Sequence, residues 1–92
     1  MHGNGTFHED LAARLREIRV DLYGEHGVPS LADALGVPPQ TWLNYETGVM
    51  VPAHIVLQLI VMAEVNPRWL LTGQGGKYAR GESGPGRGTR PA

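Results

Sequence analysis

The chain has 92 residues, the size of a single small domain. It contains no cysteine, so neither a disulfide nor a thiolate zinc site can hold the fold together. No run of about eighteen apolar residues occurs, so no membrane span is predicted. The first residues lack the basic and apolar regions of a secretory signal, and we therefore expect a cytoplasmic protein.

Charge is distributed unevenly along the chain, although the net charge is only −1. Residues 1–76 contain four arginines against eight acidic residues, which gives −4, and residues 77–92 contain four basic residues against one acidic residue, which gives +3. Neutralising phosphates supplies most non-specific affinity for DNA, so DNA-binding domains usually have a basic face. The acidic part argues against strong DNA binding by the folded residues alone, although the placement of charges matters more than their sum.

The N-terminal part predicts a flexible segment followed by a helix. Residues 1–7 are rich in small and polar residues and are expected to be flexible. Apolar residues recur at helical spacing over residues 8–22, which predicts a helix with one buried stripe. Thr6 and Glu9 fit a capping box at its start, and Gly24 predicts its end. The stripe consists of Leu11, Leu15, Ile18 and Leu22.

Two short helices joined by a tight turn are predicted over residues 30–48, with the sequence SLADALGVPPQTWLNYETG. Gly36 stands where the first helix must end, and glycine adopts the positive φ of that position without a Cβ penalty. The second helix is predicted over residues 38–47 and begins at two prolines, whose missing amide hydrogens are harmless there. This layout is typical of a helix-turn-helix that reads DNA with its second helix. The apolar residues that can face inward are Leu31, Ala34, Leu35, Val37, Trp42 and Tyr45.

Two further helices and a tail complete the predicted all-α fold. Pro52 suits the first turn of a fourth helix that ends near Glu64. Asn66 can cap a short fifth helix that ends at Gly73. From Gly73 onward Gly, Pro, Arg and Ser dominate without apolar periodicity, and we expect a disordered tail, which we place at residues 79–92.

Several short motifs occur in a characteristic order along the chain. They are Leu31-Ala32, Leu35-Gly36-Val37, Tyr45-Glu46, Gly48, Pro52 and Trp69-Leu70-Leu71-Thr72-Gly73. Together they resemble the Cro/CI-type (XRE) helix-turn-helix family, especially phage-repressor-like members that end in WLLTG. The resemblance covers about residues 8–78. It implies a five-helix, lambda-repressor-like domain that binds double-stranded DNA and regulates transcription, more often as a repressor, without a cofactor.

The resemblance also implies roles for individual residues. Residues 30–35 would lie across the DNA backbone, and residues 38–47 would form the recognition helix. Gln40, Thr41 and Asn44 are expected to read base edges in the major groove, where an amide offers adenine one donor and one acceptor. The expected contacts to the DNA backbone are Tyr45, Arg14, Arg16 and Pro39, and Arg19 and Glu46 are expected to form a buried structural ion pair.

Three positions depart from the family's pattern. Val28 stands where many members carry a glutamine that touches phosphate at the start of the second helix. Pro39 and Leu43 replace polar residues on the recognition helix. These departures affect base-specific contact more than they affect the fold.

Other functional interpretations of single residues are less favoured. Trp42 and Trp69 could stack on bases, but a tryptophan in an apolar helical stripe is more often part of a core. The four histidines show no metal-ligand spacing on one helix face. No nucleophile, base and orienting group occur together, so we do not expect an enzyme, and no sensor domain for a small-molecule ligand fits in this length.

The fourth helix and the tail each leave two alternatives open. The helix is apolar on nearly all sides, so it is either fully buried or contacts another chain. We expect a homodimer, with a tentative interface at Val56, Leu57, Val61 and Met62. The arginines of the tail are either a basic arm that follows phosphates or part of a solubilising linker. A protein–protein interaction module on the same fold is the alternative to DNA binding.

Overall fold

The computed structural model describes residues 3–79, with side chains from Glu9 onward. Over these residues the expected all-α fold of five helices is confirmed. The helices are α1 (Gly3–Tyr23), α2 (Val28–Leu35), α3 (Pro39–Tyr45), α4 (Ala53–Ala63) and α5 (Pro67–Thr72). None of them is long and apolar enough to cross a membrane within this described part of the chain.

The chain divides into two compact units, one that ends at Pro52 and one that begins at Ala53. In the first unit α2 packs against both α1 and α3. Burial of apolar surface is the main force that holds such short helices together, since isolated helices of this length are unstable in water. The buried apolar residues of the first unit are Leu11, Ala12, Leu15, Ile18, Val28, Leu31, Ala32, Leu35, Trp42 and Tyr45, and those of the second are Ile55, Leu59, Val65 and Leu70.

Helix α1 differs from the prediction at both ends. It begins at Gly3 rather than near residue 8, so Thr6 lies inside the helix and the predicted capping box is wrong. The stripe used for the prediction begins at Leu11, and Gly3, Asn4 and Gly5 are poor helix formers, so the sequence does not indicate the first turn. Leu22, which was expected in the buried stripe, is 44% exposed in the last turn, and Ala12, which was not, is buried.

The turn between α2 and α3 has the predicted geometry. Gly36 has a φ of +76°, and its N–H donates to the carbonyl of Asp33 at 3.1 Å. The N–H of Val37 donates to the carbonyl of Ala32 at 3.0 Å, which completes a Schellman motif. Helix α2 begins one or two residues earlier than expected, and α3 is shorter than the predicted range. Ala34, which we expected to face inward, is exposed.

The second unit contains a capped short helix. The side-chain oxygen of Asn66 accepts a hydrogen bond from the N–H of Arg68 at 3.1 Å, so the predicted N-cap of α5 is confirmed. Gly73 ends the helix with a φ of +81°, as expected. Trp69 is half-buried rather than a core residue, and the Lys77 ammonium lies 5.7 Å from the centre of its ring.

The chain after α5 folds back along the residues that precede the helix, which corrects the expectation that disorder begins at Gly73. The N–H of Asn66 donates to the carbonyl of Lys77 at 2.9 Å, and Val65 and Tyr78 form an isolated antiparallel bridge. The Asn66 amide also donates to the carbonyl of Gly76 at 2.8 Å. The predicted tail at 79–92 lies almost entirely outside the described residues.

Candidate nucleic-acid interface

The outer side of α3 presents two amide side chains that contact each other. Gln40 and Asn44 are exposed and one helical turn apart, and Gln40 Nε2 donates a hydrogen bond to Asn44 Oδ1 at 3.1 Å. On the opposite side Trp42 and Tyr45 are buried, with their rings edge to face at 5.9 Å between centroids. The structure therefore brings together two of the three residues expected to read bases, and Thr41 is half-buried at the margin.

The contact between Gln40 and Asn44, called the amide pair below, has a defined hydrogen-bonding capacity. An amide carries a carbonyl acceptor and an NH2 donor. The hydrogen bond between the two side chains uses one donor and one acceptor, and this stays true if the oxygen and nitrogen of both amides are exchanged. One residue therefore directs its donor group outward and the other its acceptor group. The amide pair is therefore an uncharged surface that offers both a hydrogen-bond donor and a hydrogen-bond acceptor, and its two side chains already contact each other in the absence of a ligand.

The orientation of α3 in the first unit is fixed by a buried ion pair at its C-terminal end. Arg19 on α1 donates from Nε to Glu46 Oε2 at 3.0 Å and from Nη2 to Glu46 Oε1 at 2.8 Å. Both side chains are 5% exposed. A bidentate arginine–carboxylate contact is directional as well as strong, so it sets the angle between the two helices.

The remaining donors of Arg19 are also used. Its Nη1 donates to the carbonyls of Gly24 at 3.0 Å and Glu25 at 2.7 Å, in the loop after α1. The hydrogen bonds that Arg19 donates to Glu46 and the negative charges of Glu46 and Glu25 raise the pKa of Arg19 above its ordinary value, against the opposing effect of burial. The guanidinium therefore stays charged at every physiological pH and joins α1, the loop and α3.

Trp42 is a further part of this site that the sequence interpretation missed. Its indole Nε1–H donates to Glu46 Oε2, so the carboxylate accepts from two side chains. We assigned Trp42 to the core, and its side chain is fully buried there. The signal was present in the sequence, since Trp42 and Glu46 are one helical turn apart and a buried indole N–H needs an acceptor.

The other residues expected to contact the DNA backbone differ in their availability. Tyr45 is only 6% exposed, so packing is its main role. Pro39 is exposed at the start of α3. Arg14 is half-buried on α1, and Arg16 forms a solvent-exposed ion pair with Glu25 at 3.5 Å. No lysine or arginine occurs in the sequence between Arg19 and Arg68, so α2 and α3 carry no positive side chain.

A second exposed surface lies on α4, which contains no charged residue. Leu57 is 60% exposed, Val61 78% and Met62 40%, and Val56 is half-buried. Leu57 and Val61 are four residues apart and lie on one side of the helix. No group of three or more His, Asp or Glu residues that could hold a metal ion occurs in the described part of the chain.

The protein-family model of the bacteriophage CI repressor helix-turn-helix domain matches residues 19–78 of this chain. The chain belongs to this family. The match begins at Arg19, includes Glu46, and ends at Tyr78, so the CI repressor domain comprises both the ion pair and the segment that folds back after α5. No curated protein and no solved structure gives a significant match. Family membership makes this a DNA-binding domain of the kind that regulates transcription.

Proposed function

We propose that this CI repressor domain reads the major groove of duplex DNA with α3 and represses transcription by occupying an operator. The observation that carries the proposal is the amide pair, exposed on the second helix of the helix-turn-helix and opposite the buried Trp42. Gln40, Asn44 and the half-buried Thr41 are the proposed base-reading residues.

The hydrogen-bonding capacity of the amide pair favours an adenine on the major-groove edge. Adenine presents an N7 acceptor beside an N6 donor, and a good bidentate contact of this kind discriminates against other bases by about 1–3 kcal/mol. The amide pair supplies one group of each kind. Because the two amides already contact each other, less side-chain freedom is lost on binding than for two independent residues.

The positively charged phosphate contacts in the proposed complex come from outside α2 and α3. Arg14 and Arg16 on α1 are the proposed cationic contacts, with Pro39 and the hydroxyl of Tyr45 close to the backbone. Arg16 must exchange its exposed contact with Glu25 for a phosphate, which costs little because exposed ion pairs contribute about 0–1 kcal/mol.

We further propose that the protein acts as a homodimer through the exposed side of α4. This helix lacks charged residues, so two copies can pack without placing like charges together. Leu57, Val61 and Met62 supply the apolar surface, with Val56 at its edge. A two-fold dimer would place two copies of α3 on two half-sites, as operator recognition by helix-turn-helix proteins requires.

Fluorescence anisotropy tests the proposed DNA reading. A duplex selected by the full chain from a random-sequence library is titrated with the wild type, with Gln40→Ala and Asn44→Ala, and with the double variant. We expect the double variant to bind about 5- to 150-fold more weakly, the effect of losing one bidentate base contact. Gln74→Ala removes an exposed amide that accepts a hydrogen bond from Arg68 after α5, and it is the matched control, which should bind like the wild type.

A protein-interaction module remains the second candidate, because no positive side chain lies on α2 or α3. The same titration separates the two. Failure of the wild type to bind or select any duplex at low salt would favour the interaction module. Selection of a defined sequence, followed by loss of affinity in the amide variants with unchanged circular dichroism, would favour DNA reading.

A further inference from the structure

Leu43 is an exposed apolar residue on the helix that carries the amide pair. Its side chain is 39% exposed. It follows Gln40 by three residues, and residues at this spacing are neighbours on a helix surface. The buried side of α3 is formed by Trp42 and Tyr45. Leu43 therefore belongs to the outer face and adds apolar surface beside the amide pair.

We propose that Leu43 is a specificity-determining residue that contacts the C5-methyl group of a thymine in the major groove. The inference rests on the proposed function, because it requires the outer face of α3 to lie in that groove. Among the base edges displayed there, the thymine methyl is the apolar group, and it is recognised by apolar side chains. Leucine has no hydrogen-bonding group and cannot read the polar edges.

The neighbourhood of Leu43 indicates which bases it meets. The amide pair fits the donor and acceptor pattern of adenine, and thymine occurs either as its partner or at a neighbouring base pair. Helix α3 contains no charged residue, so nothing on this face favours the exposed guanine acceptors through an arginine or lysine. The face formed by Gln40, Leu43 and Asn44 therefore fits a short A·T-rich element.

Other exposed apolar residues follow α3 in the first unit, which raises the alternative of a protein-docking patch. Val49 is 53% exposed and Met50 70% exposed, both in the loop after the helix. The DNA contact is favoured for Leu43 because it shares the helix face with the amide pair, whereas Val49 and Met50 lie beyond the end of α3. A docking patch would give a different result in the experiment below.

The test removes single methyl groups from DNA. The full chain first selects a duplex from a random-sequence library, and each thymine of that duplex is then replaced in turn by deoxyuridine, which differs only in lacking the methyl. Affinities are measured by fluorescence anisotropy for the wild type, Leu43→Ala and Leu43→Met. The control is Leu71→Ala, which removes an apolar side chain of comparable exposure, 51%, from α5.

At one thymine position in each half-site we expect deoxyuridine to weaken wild-type binding about fourfold, the effect of losing one buried methyl. Leu43→Ala should bind the unmodified duplex more weakly and show no further loss with deoxyuridine. Leu43→Met and the Leu71→Ala control should retain the methyl effect. Circular dichroism of each variant establishes that it is folded.

Two results of the deoxyuridine titration would overturn this inference and leave the proposed function intact. In one, the wild type binds its selected duplex but no deoxyuridine substitution weakens it; in the other, Leu43→Ala retains the full methyl effect. An unchanged DNA affinity together with altered self-association of Leu43→Ala would assign the residue to a protein contact. Absence of binding to every duplex by the wild type would instead remove the proposed function, and this inference with it.

Discussion

Replacement of Glu46 by alanine should strongly destabilise the first unit. Glu46 accepts two hydrogen bonds from Arg19, at 3.0 and 2.8 Å, and one from the Trp42 indole. The variant leaves a charged guanidinium that is 5% exposed without its carboxylate. Removing one partner of a buried ion pair costs about 3–5 kcal/mol, because the remaining charge is uncompensated.

The expected loss is large relative to the total stability of a small domain, which is about 5–15 kcal/mol. For a domain of this size 1 kcal/mol corresponds to about 4–8 °C in Tm, so the midpoint should fall by about 12 °C or more. Urea unfolding followed by tryptophan fluorescence and circular dichroism gives the free energy of unfolding.

The chain provides a matched control in its exposed ion pair. Arg16 and Glu25 lie 3.5 Å apart with side chains 55% and 64% exposed, so Glu25→Ala should cost less than about 1 kcal/mol. The carbonyl of Glu25 that accepts from Arg19 is retained in this variant. A loss of less than about 1 kcal/mol for Glu46→Ala, equal to that of the control, would refute the stabilising role of the buried pair.

Four further predictions concern other parts of the chain. Since the pKa of Arg19 is raised, the charged guanidinium stops contributing to the free energy of unfolding only as the pH rises beyond the ordinary range of arginine. The loss of unfolding free energy caused by Glu46→Ala, measured by urea unfolding, should therefore be equal at about pH 7 and about pH 10. A smaller loss at about pH 10 would contradict this. If the basic arm follows phosphates, removing residues 79–92 should flatten the log–log salt dependence of DNA affinity by about two to three units, whereas an unchanged slope would make it a linker. Val61→Glu should dissociate the proposed dimer in sedimentation equilibrium without changing the helix content, because Val61 is 78% exposed, and Leu71→Glu is the control on α5; a dimer that survives Val61→Glu would exclude this interface. Asn66→Ala should lower the free energy of unfolding by about 1 kcal/mol through loss of the α5 cap, and Asn66→Asp, which keeps the accepting oxygen, should lower it less; equal losses would assign the effect to the Gly76 contact instead.

The sequence predicts the helix-turn-helix well because its signals are local. Gly36 adopts the left-handed conformation that its position requires, and Asn66 caps α5 through its own side chain. Such effects depend on a few neighbouring residues and are visible without the rest of the fold. The apolar periodicity likewise identifies most of the core, including Leu15, Ile18 and Leu31.

The remaining features depend on contacts that sequence patterns do not contain. The start of α1 at Gly3 lies upstream of any apolar residue of the stripe. The pairing of Lys77 with Asn66 joins residues on either side of a helix, and no local pattern marks it. The third donor to Glu46 and the contact within the amide pair depend on side-chain rotamers, which the sequence does not specify.

The central claim is that duplex DNA binds at the outer face of α3, and amide chemical shifts measured during a DNA titration test it most directly. Isotope-labelled full-length protein is titrated with the duplex that it selects from a random-sequence library. The largest shifts are predicted at Gln40, Leu43 and Asn44, with smaller changes on the exposed side of α4. Shifts confined to α4, or no shifts at low salt, would contradict the claim.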